Sequence, residues 1–281
     1  MRINMPVTAT EHELRDGAAI VSKTTVKGVI TYVNQEFIDI SGFTEAELIG
    51  QAHNIVRHPD MPPEAYKDMW VTLKEGRPWT GIVKNRCKNG DFYWVQANVT
   101  PLRENGVVTG FMSVRTKPTR AQIDAATKAY ALFRAGKAGG LAVHRGAVVR
   151  TGVAAIFRRI GNLSLGARLV AMLGYTTAAL TAIAAGALTG RIDGVTGAAI
   201  AIGGAMLPLI VGGWMTYAGV ARRLAEARNH LRWMSEGKLD ERIDIGAEDE
   251  IGGVLEAARS MQIKVGYDME DLRRVSNEAL R

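Results

Sequence analysis

Four consecutive residues, Arg57-His58-Pro59-Asp60, set a planar cation, an imidazole and a carboxylate around a proline. A guanidinium fork matches phosphate oxygens, so Arg57 and His58 are candidate anion ligands. Asp60 can hold Arg57 or cap the helix near Pro62. The same four residues also make an ordinary turn closed by a salt bridge, with Pro59 accounting for its irregular course. Downstream, Trp70 and Trp79 offer ring faces on which a flat aromatic ligand can stack. Trp70 sits at a helical position and reads equally as core. Asn85, on a strand, presents a donor and an acceptor on one amide. Asn34 carries the same amide, but capping of the following helix already explains it. Cys87 is the only cysteine, which excludes an intramolecular disulfide and a cysteine-based zinc cluster. On its strand it reads as inert. No nucleophile–base set, metal cluster or phosphate loop accompanies these residues, so the sequence reads as a binding protein and not as an enzyme.

The elements that must position them form a small α/β domain over 18–118, behind an N-terminal cap at 1–17. Ala18–Thr24 and Val29–Val33 read as strands around the turn at Lys27-Gly28. Asn34 caps a short helix, Gln35–Ser41, which Gly42 stops. Thr44 with Glu47 makes a capping box for a second helix ending at Ile49. Pro62 and Pro63 open a third helix that runs to about Glu75. Gly81–Lys88 and Asp91–Arg103 are strands joined by Asn89-Gly90, a strong hairpin signal. Asn105-Gly106 leads into a last strand, Val107–Thr116. On the middle strand, Tyr93, Val95, Ala97 and Val99 share the inward face by period-two alternation.

The chain has 281 residues, 35 Lys or Arg against 28 Asp or Glu, and a net charge of +7. Hydrophobic residues make up 47%, which excludes wholesale disorder. A basic balance raises nucleic acid, a membrane surface or acidic partners. Its distribution decides among them. Ala125–Arg168 contains eight Lys or Arg and no acid, which leaves the remainder near neutrality. That stretch lies directly before two uncharged runs, Leu169–Thr189 and Gly194–Ala221, each long enough for the roughly 20 apolar residues of a membrane-spanning helix. Nucleic acid is therefore not the expected partner, whereas anionic headgroups are. Val149, Val153, Ile156 and Ile160 recur at helical spacing and suggest an interfacial helix within the basic linker, 119–168. A solvated linker is the alternative.

The connection at 190–193 suits a tight hairpin. Basic residues flank the outer ends of both runs, and the loop has Arg191 alone. That asymmetry is expected to place both large segments on the cytoplasmic side of the membrane. Pro208 is expected to kink the second span. Gly186 and Gly190 form a weak GxxxG packing pattern.

GVITYVNQEFIDISGFTEAELIGQ, the hairpin KNRCKNGDFYWVQANVTPL and NGVVTGFMSVRT together resemble a PAS domain. The resemblance covers about 100 residues and implies a ligand held between a five-stranded sheet and its helices. HNIVRHPDMPPEAYKDMW, with RPWTG after it, is similar to the aerotaxis-receptor type. That similarity implies FAD held non-covalently, with Arg57, His58 and Asp60 tied to flavin binding and Asn85 bonded to the pyrimidine edge of the ring. Light-sensing relatives use a cysteine in the helical segment; His53 stands near that place here, so adduct photochemistry is not expected. Haem is the alternative cofactor, with His53 or His58 as axial ligand.

Beyond the second run, Leu224, Ala227, Leu231 and Met234 make one apolar seam. Ile251, Val254, Ala258, Met261 and Val265 make another. With Asp249-Glu250-Ile251-Gly252, residues 222–270 resemble a HAMP domain, a parallel dimeric four-helix bundle that implies a homodimer. Residues 271–281 begin an output helix. A chemotaxis kinase and adaptor become partners only if an output domain follows. The expected whole is a PAS domain, a two-helix transmembrane hairpin and a helical HAMP bundle, serving as a redox or oxygen sensor. The alternative is the sensor half of a histidine kinase or another signalling protein.

Overall fold

In the computed structural model, residues 3–152, 162–191, 193–238, 243, 245–246 and 249–279 are described, with backbone alone at 201 and 267–279. The chain divides into two compact units, Met1–Ala155 with Ile263–Arg281, and Ile156–Gln262.

The first unit is built on strands β1 (Ile20–Thr25), β2 (Ile30–Val33), β3 (Trp79–Arg86), β4 (Phe92–Glu104) and β5 (Val107–Thr116). They form one antiparallel sheet in the order β2-β1-β5-β4-β3. Between β2 and β3 lie helices α1 (Gln35–Ser41) and α2 (Glu45–Leu48), a 3-10 turn at His53–Val56, and α3 (Pro63–Lys74). Local chemistry sets these boundaries. The Asn34 side chain accepts the Phe37 N–H and caps α1, and Gly42 ends that helix at φ 69°. Thr44 and Glu47 form both bonds of the capping box.

Tyr93, Val95, Ala97 and Val99 are buried, as alternation requires, in one core with Phe37, Leu48, Leu73 and Trp79. Phe37, Leu48, Leu73 and Val95, fully buried, each contribute about 1.5–3 kcal/mol. The N-terminal segment is part of the fold. Thr8 donates to the Gly90 carbonyl, Phe92 to that of Thr10, and His12 to that of Phe92.

The basic linker differs from its reading as an interfacial helix or a solvated linker. It contains α4 (Arg120–Arg134) and a hairpin of β6 (Leu141–His144) and β7 (Ala147–Arg150). Thr119 and Gln122 make a capping box at the start of α4, and Tyr130 donates to the Ile82 carbonyl at 2.7 Å. Val149 stands in β7 and not on a helix. Val153, Ile156 and Ile160, the rest of the expected interfacial face, lie outside the described residues.

The second unit contains α5 (Leu165–Leu188), α6 (Gly194–Ile200), a π-helical turn at Ala201–Met206, and α7 (Leu207–Ser235). Helix α8 (Glu250–Ala279) begins in this unit. Two helical stretches, Leu165–Leu188 and Gly194–Ser235, are long and apolar enough to cross a membrane, with mean hydropathy 1.6 and 1.9. Their large side chains face outward: Leu188 is 89% exposed and Val195 83%. A soluble core helix would bury them.

The expected disturbance at Pro208 appears as the π-helical turn immediately before it. Proline lacks the N–H that would reach the Gly204 carbonyl one turn back. That carbonyl accepts the Tyr175 hydroxyl of α5 at 2.6 Å instead. Gly190, at φ 67°, stops α5, and a side chain there would meet nothing within 4 Å. Its glycine therefore serves the turn. Asp193 caps α6 through the Thr196 N–H at 2.8 Å.

Ala227 of α7, Ile243 between the helices, and Leu255 and Ala258 of α8 form a small core with Met234 and Ile251. Asp249 accepts the Gly252 N–H at 3.0 Å and pairs with Arg223, which also bonds the Ile245 carbonyl at 3.0 Å. Burial works against the Asp249 charge. The Arg223 bond and the Gly252 N–H more than offset it and keep the pKa below its ordinary value. Between α7 and α8, residues 239–242, 244 and 247–248 lie outside the described residues.

Candidate ligand cavity

A cavity of about 210 Å³ opens between the inward face of the sheet and the helical segment. Four of the seven residues singled out by chemistry line it: Arg57, Trp70, Trp79 and Asn85. His58, Asp60 and Asn34 do not border it. Asn34 is committed to the α1 cap and to β1, accepting the Val21 N–H at 2.9 Å and donating to the Ala19 carbonyl at 2.8 Å.

The Arg-His-Pro-Asp block is split by its own backbone. Arg57 has extended geometry and forms an isolated antiparallel bridge with Asn85, so two lining residues sit on neighbouring backbone. Successive side chains of an extended chain point to opposite sides, and His58 accordingly packs edge-on to Phe92 at 5.9 Å. Asp60 neither holds Arg57 nor caps α3. It pairs with Lys84 at 2.8 Å, with Arg134, and more loosely with His58 at 3.6 Å. Burial would raise the Asp60 pKa, but Lys84, His58 and Arg134 together hold it below the usual range.

Arg57 is buried with its guanidinium 3.9 Å from the centroid of the Tyr66 ring. It donates to the Met61 carbonyl at 3.2 Å, and its Nε has no hydrogen-bond partner among the described residues. Desolvation lowers its pKa and raises that of Tyr66 to about 12. Trp70 meets Phe111 edge-on at 5.7 Å, so it lines the cavity and joins the core at once. Trp79, 2% exposed, donates its indole N–H to Asp68 Oδ2 at 2.7 Å. Cys87 is buried, its thiol set against the Ile40 carbonyl at 3.2 Å. Burial pushes its pKa up to about 12, which keeps it a thiol at neutral pH.

Sequence reasoning missed the deepest charge in the cavity. Arg115, on the inward face of β5, is 3% exposed and lines the cavity with Ser113 and His53. It donates to Ser22 Oγ at 2.9 Å and to His53 Nε2 at 2.5 Å. Its Nη1 and the Ser113 hydroxyl have no hydrogen-bond partner among the described residues. Desolvation brings the Arg115 pKa down to about 10, still charged at neutral pH. A buried cation ordinarily has a carboxylate beside it, and none lies among the residues lining the cavity. The available signal was the inward alternation Phe111, Ser113, Arg115, which puts polar groups where a buried strand face should be apolar.

Since guanidinium cannot accept a bond, His53 Nε2 carries the lone pair and its proton sits on Nδ1. Burial, then the Arg115 charge, lowers the His53 pKa to about 3. His58 falls to about 4, chiefly by burial and then through Lys84. Both are neutral in the fold and charge readily when unfolded. Their stability contribution is fully present above the ordinary value of 6.5 and is lost as pH falls toward 4 and then 3. The expected slope is up to about 1.4 kcal/mol per pH unit per histidine. Urea midpoints taken from pH 7.5 to 4.5 should drop accordingly, and His53→Gln should flatten the decline. An equal slope in the variant would refute the assignment.

The sheet, its helical flank and the enclosed cavity coincide with a family match. The family model described as PAS fold covers residues 30–115. This segment is a PAS domain. A segment of 146 residues, 52% of the chain, is 48% identical to the aerotaxis receptor of Escherichia coli K12 and covers 29% of that protein. Over 89 residues, 32% of the chain, it is 30% identical to the nitrogen fixation regulatory protein of Klebsiella pneumoniae, covering 18% of that protein. The chain thus spans less than a third of the length of these relatives. Among solved structures, the light state of the blue-light photoreceptor aureochrome1 LOV covers 39% of this chain and 88% of its own, with 17% identity and a TM-score of 0.37. The lining residues from Ala52 to Arg115 fall within the matched residues, while Thr24, Lys27 and Gly28 precede them.

Proposed function

We propose that this chain is the sensing and membrane-anchoring part of a redox or oxygen receptor of the aerotaxis type, with FAD in the PAS cavity and no catalytic activity of its own. The observation that carries this reading is the buried Arg115 guanidinium, without a carboxylate at the cavity and with a donor left over. Such a site favours a ligand that is anionic or becomes so.

Flavin supplies reversible one- and two-electron redox chemistry when bound. At about 210 Å³ the cavity is smaller than the roughly 300–1,000 Å³ usual for whole ligands, which suits a ring system with the rest of the molecule at the mouth. The exposed lining residues Lys27, Ala52 and Asn54 mark that mouth. There Lys27 and the spare Nε of Arg57 would meet phosphate oxygens, while Trp79 and Trp70 flank the ring and Asn85 offers its amide to the ring edge. Arg115 would favour the ligand state with more negative charge, and so convert a change of charge into a change of hydrogen bonding around Ser22 and His53. His58 and Asp60 act behind Arg57 by fixing the turn and Lys84. Haem fits less well, because the lone pair of His53 is taken by Arg115 and His58 faces away from the cavity.

The flanking charges and the apolar helices support insertion in a bacterial inner membrane, with PAS and the segment after the spans on the cytoplasmic side. The Asp249–Arg223 pair and the small core at Ala227 and Leu255 support a HAMP domain at 222–270. Leu224, Leu231, Val254 and Met261 remain exposed and would complete the seam in a homodimer. Coupling to a chemotaxis kinase and adaptor would require an output domain beyond 281. The test is the absorption spectrum of the purified chain. Flavin bands near about 450 nm are expected, with Arg57→Ala losing most of that absorbance. A Soret band, or no chromophore after reconstitution with FAD, would overturn the reading.

A further inference from the structure

The β6–β7 hairpin docks on the PAS domain at its turn, where one side chain of α3 accepts two backbone N–H groups. Its pairing runs from Leu141↔Arg150 to His144↔Ala147, leaving Arg145 and Gly146 as a two-residue turn. Their φ values are 49° and 82°, which is the geometry of a type I′ hairpin turn. Arginine is strained in the left-handed region, and such strain persists only where surrounding contacts enforce it.

The contacts that enforce it come from Asp68 on α3. Asp68 Oδ1 accepts the Arg145 N–H at 2.9 Å, and Oδ2 accepts the Gly146 N–H at 2.8 Å. Oδ2 also accepts the Trp79 indole N–H. A carboxylate has lone pairs enough for three donors, but an amide in its place would not. The fit is tight on both sides. A Cβ on Gly146 would overlap the Thr80 carbonyl, and one on Gly81 would overlap the Trp79 ring. The indole is therefore held between Gly81, the cavity and Asp68.

We propose that Asp68 is a positioning residue that ties the cavity-facing ring of Trp79 to the tip of the β6–β7 hairpin, so that occupation of the cavity and docking of the hairpin are coupled. Any displacement of the indole by a stacked ligand is felt at the carboxylate that holds the hairpin. By linkage, ligand and docked hairpin favour each other by the same factor. The hairpin stands in sequence between the PAS domain and the first apolar helix, which makes it a direct mechanical outlet for the cavity. The clamp stands on the geometry alone; only its link to a ligand rests on the flavin reading.

The experiment is hydrogen exchange on the full chain in nanodiscs, together with the NMR resonance of the Trp79 indole N–H, assigned by its loss in Trp79→Phe. Asp68→Ala should speed exchange of the Arg145 and Gly146 amides on the order of tenfold or more. Gly146→Ala, with Asp68 intact, should do the same and also shift the Trp79 indole resonance. Adding FAD to stripped wild-type chain should slow hairpin exchange, and should not do so in Asp68→Ala. Unchanged hairpin exchange in both variants, or an unmoved indole resonance in Gly146→Ala, would overturn the proposal. Failure of wild type to take up FAD would remove the flavin reading while the indole and exchange results in the two variants still decide the coupling.

Discussion

Arg115→Met should make the empty PAS domain more stable and the loaded one worse at its task. Removing a buried cation with no carboxylate at its cavity lifts a desolvation cost, and a methionine of similar reach fills the space. The expected gain in the ligand-free protein is about 1–3 kcal/mol. The thioether cannot bond Ser22 or His53, which subtracts part of that gain and keeps it at the lower end. In the FAD-loaded protein the opposite holds. Any negative charge arising on the ligand loses its counter-ion, so affinity should fall at least tenfold and the reduction potential should drop by on the order of 60 mV or more. Thermal melts with and without FAD, and a potentiometric titration followed by absorbance, separate the two effects. A variant less stable when empty and unaltered in potential would show Arg115 to be structural. Trade-offs of this sign are common where a site carries charge for function at the expense of the fold.

Asp249→Ala should cost about 2–4 kcal/mol in the segment after the apolar helices. The substitution removes the cap of α8, worth about 1 kcal/mol, and strands Arg223, whose side chain is 14% exposed with the Ile245 carbonyl still bonded to it. Breaking one side of a partly buried pair is more damaging than removing both. The double variant Arg223→Met/Asp249→Ala should therefore recover part of the loss. Trypsin cleavage after Arg222, Arg223 and Arg228, measured against time in nanodiscs, reads the local opening. Identical cleavage in the single variant and wild type would refute the role given to Asp249.

The local parts of this fold were legible because local chemistry causes them. Asn34 and the Thr44–Glu47 box cap helices wherever they meet a following apolar run. Asn89-Gly90 turns a hairpin, and the alternation of Tyr93, Val95, Ala97 and Val99 needs only a strand. The apolar runs likewise announced themselves by length. The cavity was half legible. Trp79 and Asn85 were found by side-chain chemistry, but the Arg57–Asp60 block was read as one ligand set, and an extended backbone sends its neighbours to different sides. Arg115 and Ser22 are far apart in sequence and meet because β1 and β5 are adjacent in the sheet, with His53 brought to them by the 3-10 turn, an arrangement that no local pattern specifies. The β6–β7 hairpin escaped notice for a different reason. Arg-Gly is a poor turn signal, and its strained arginine is tolerated only because Asp68, 77 positions earlier, holds it.

The connection between the two apolar helices has a mechanical meaning. It is closed at one end by the left-handed Gly190 and at the other by the Asp193 cap, and lower down the helices are pinned by the Tyr175–Gly204 bond. Sliding one helix along the other by a turn would break the Tyr175–Gly204 bond and pull on the short connection, so the geometry favours tilt or rotation of the pair as one body.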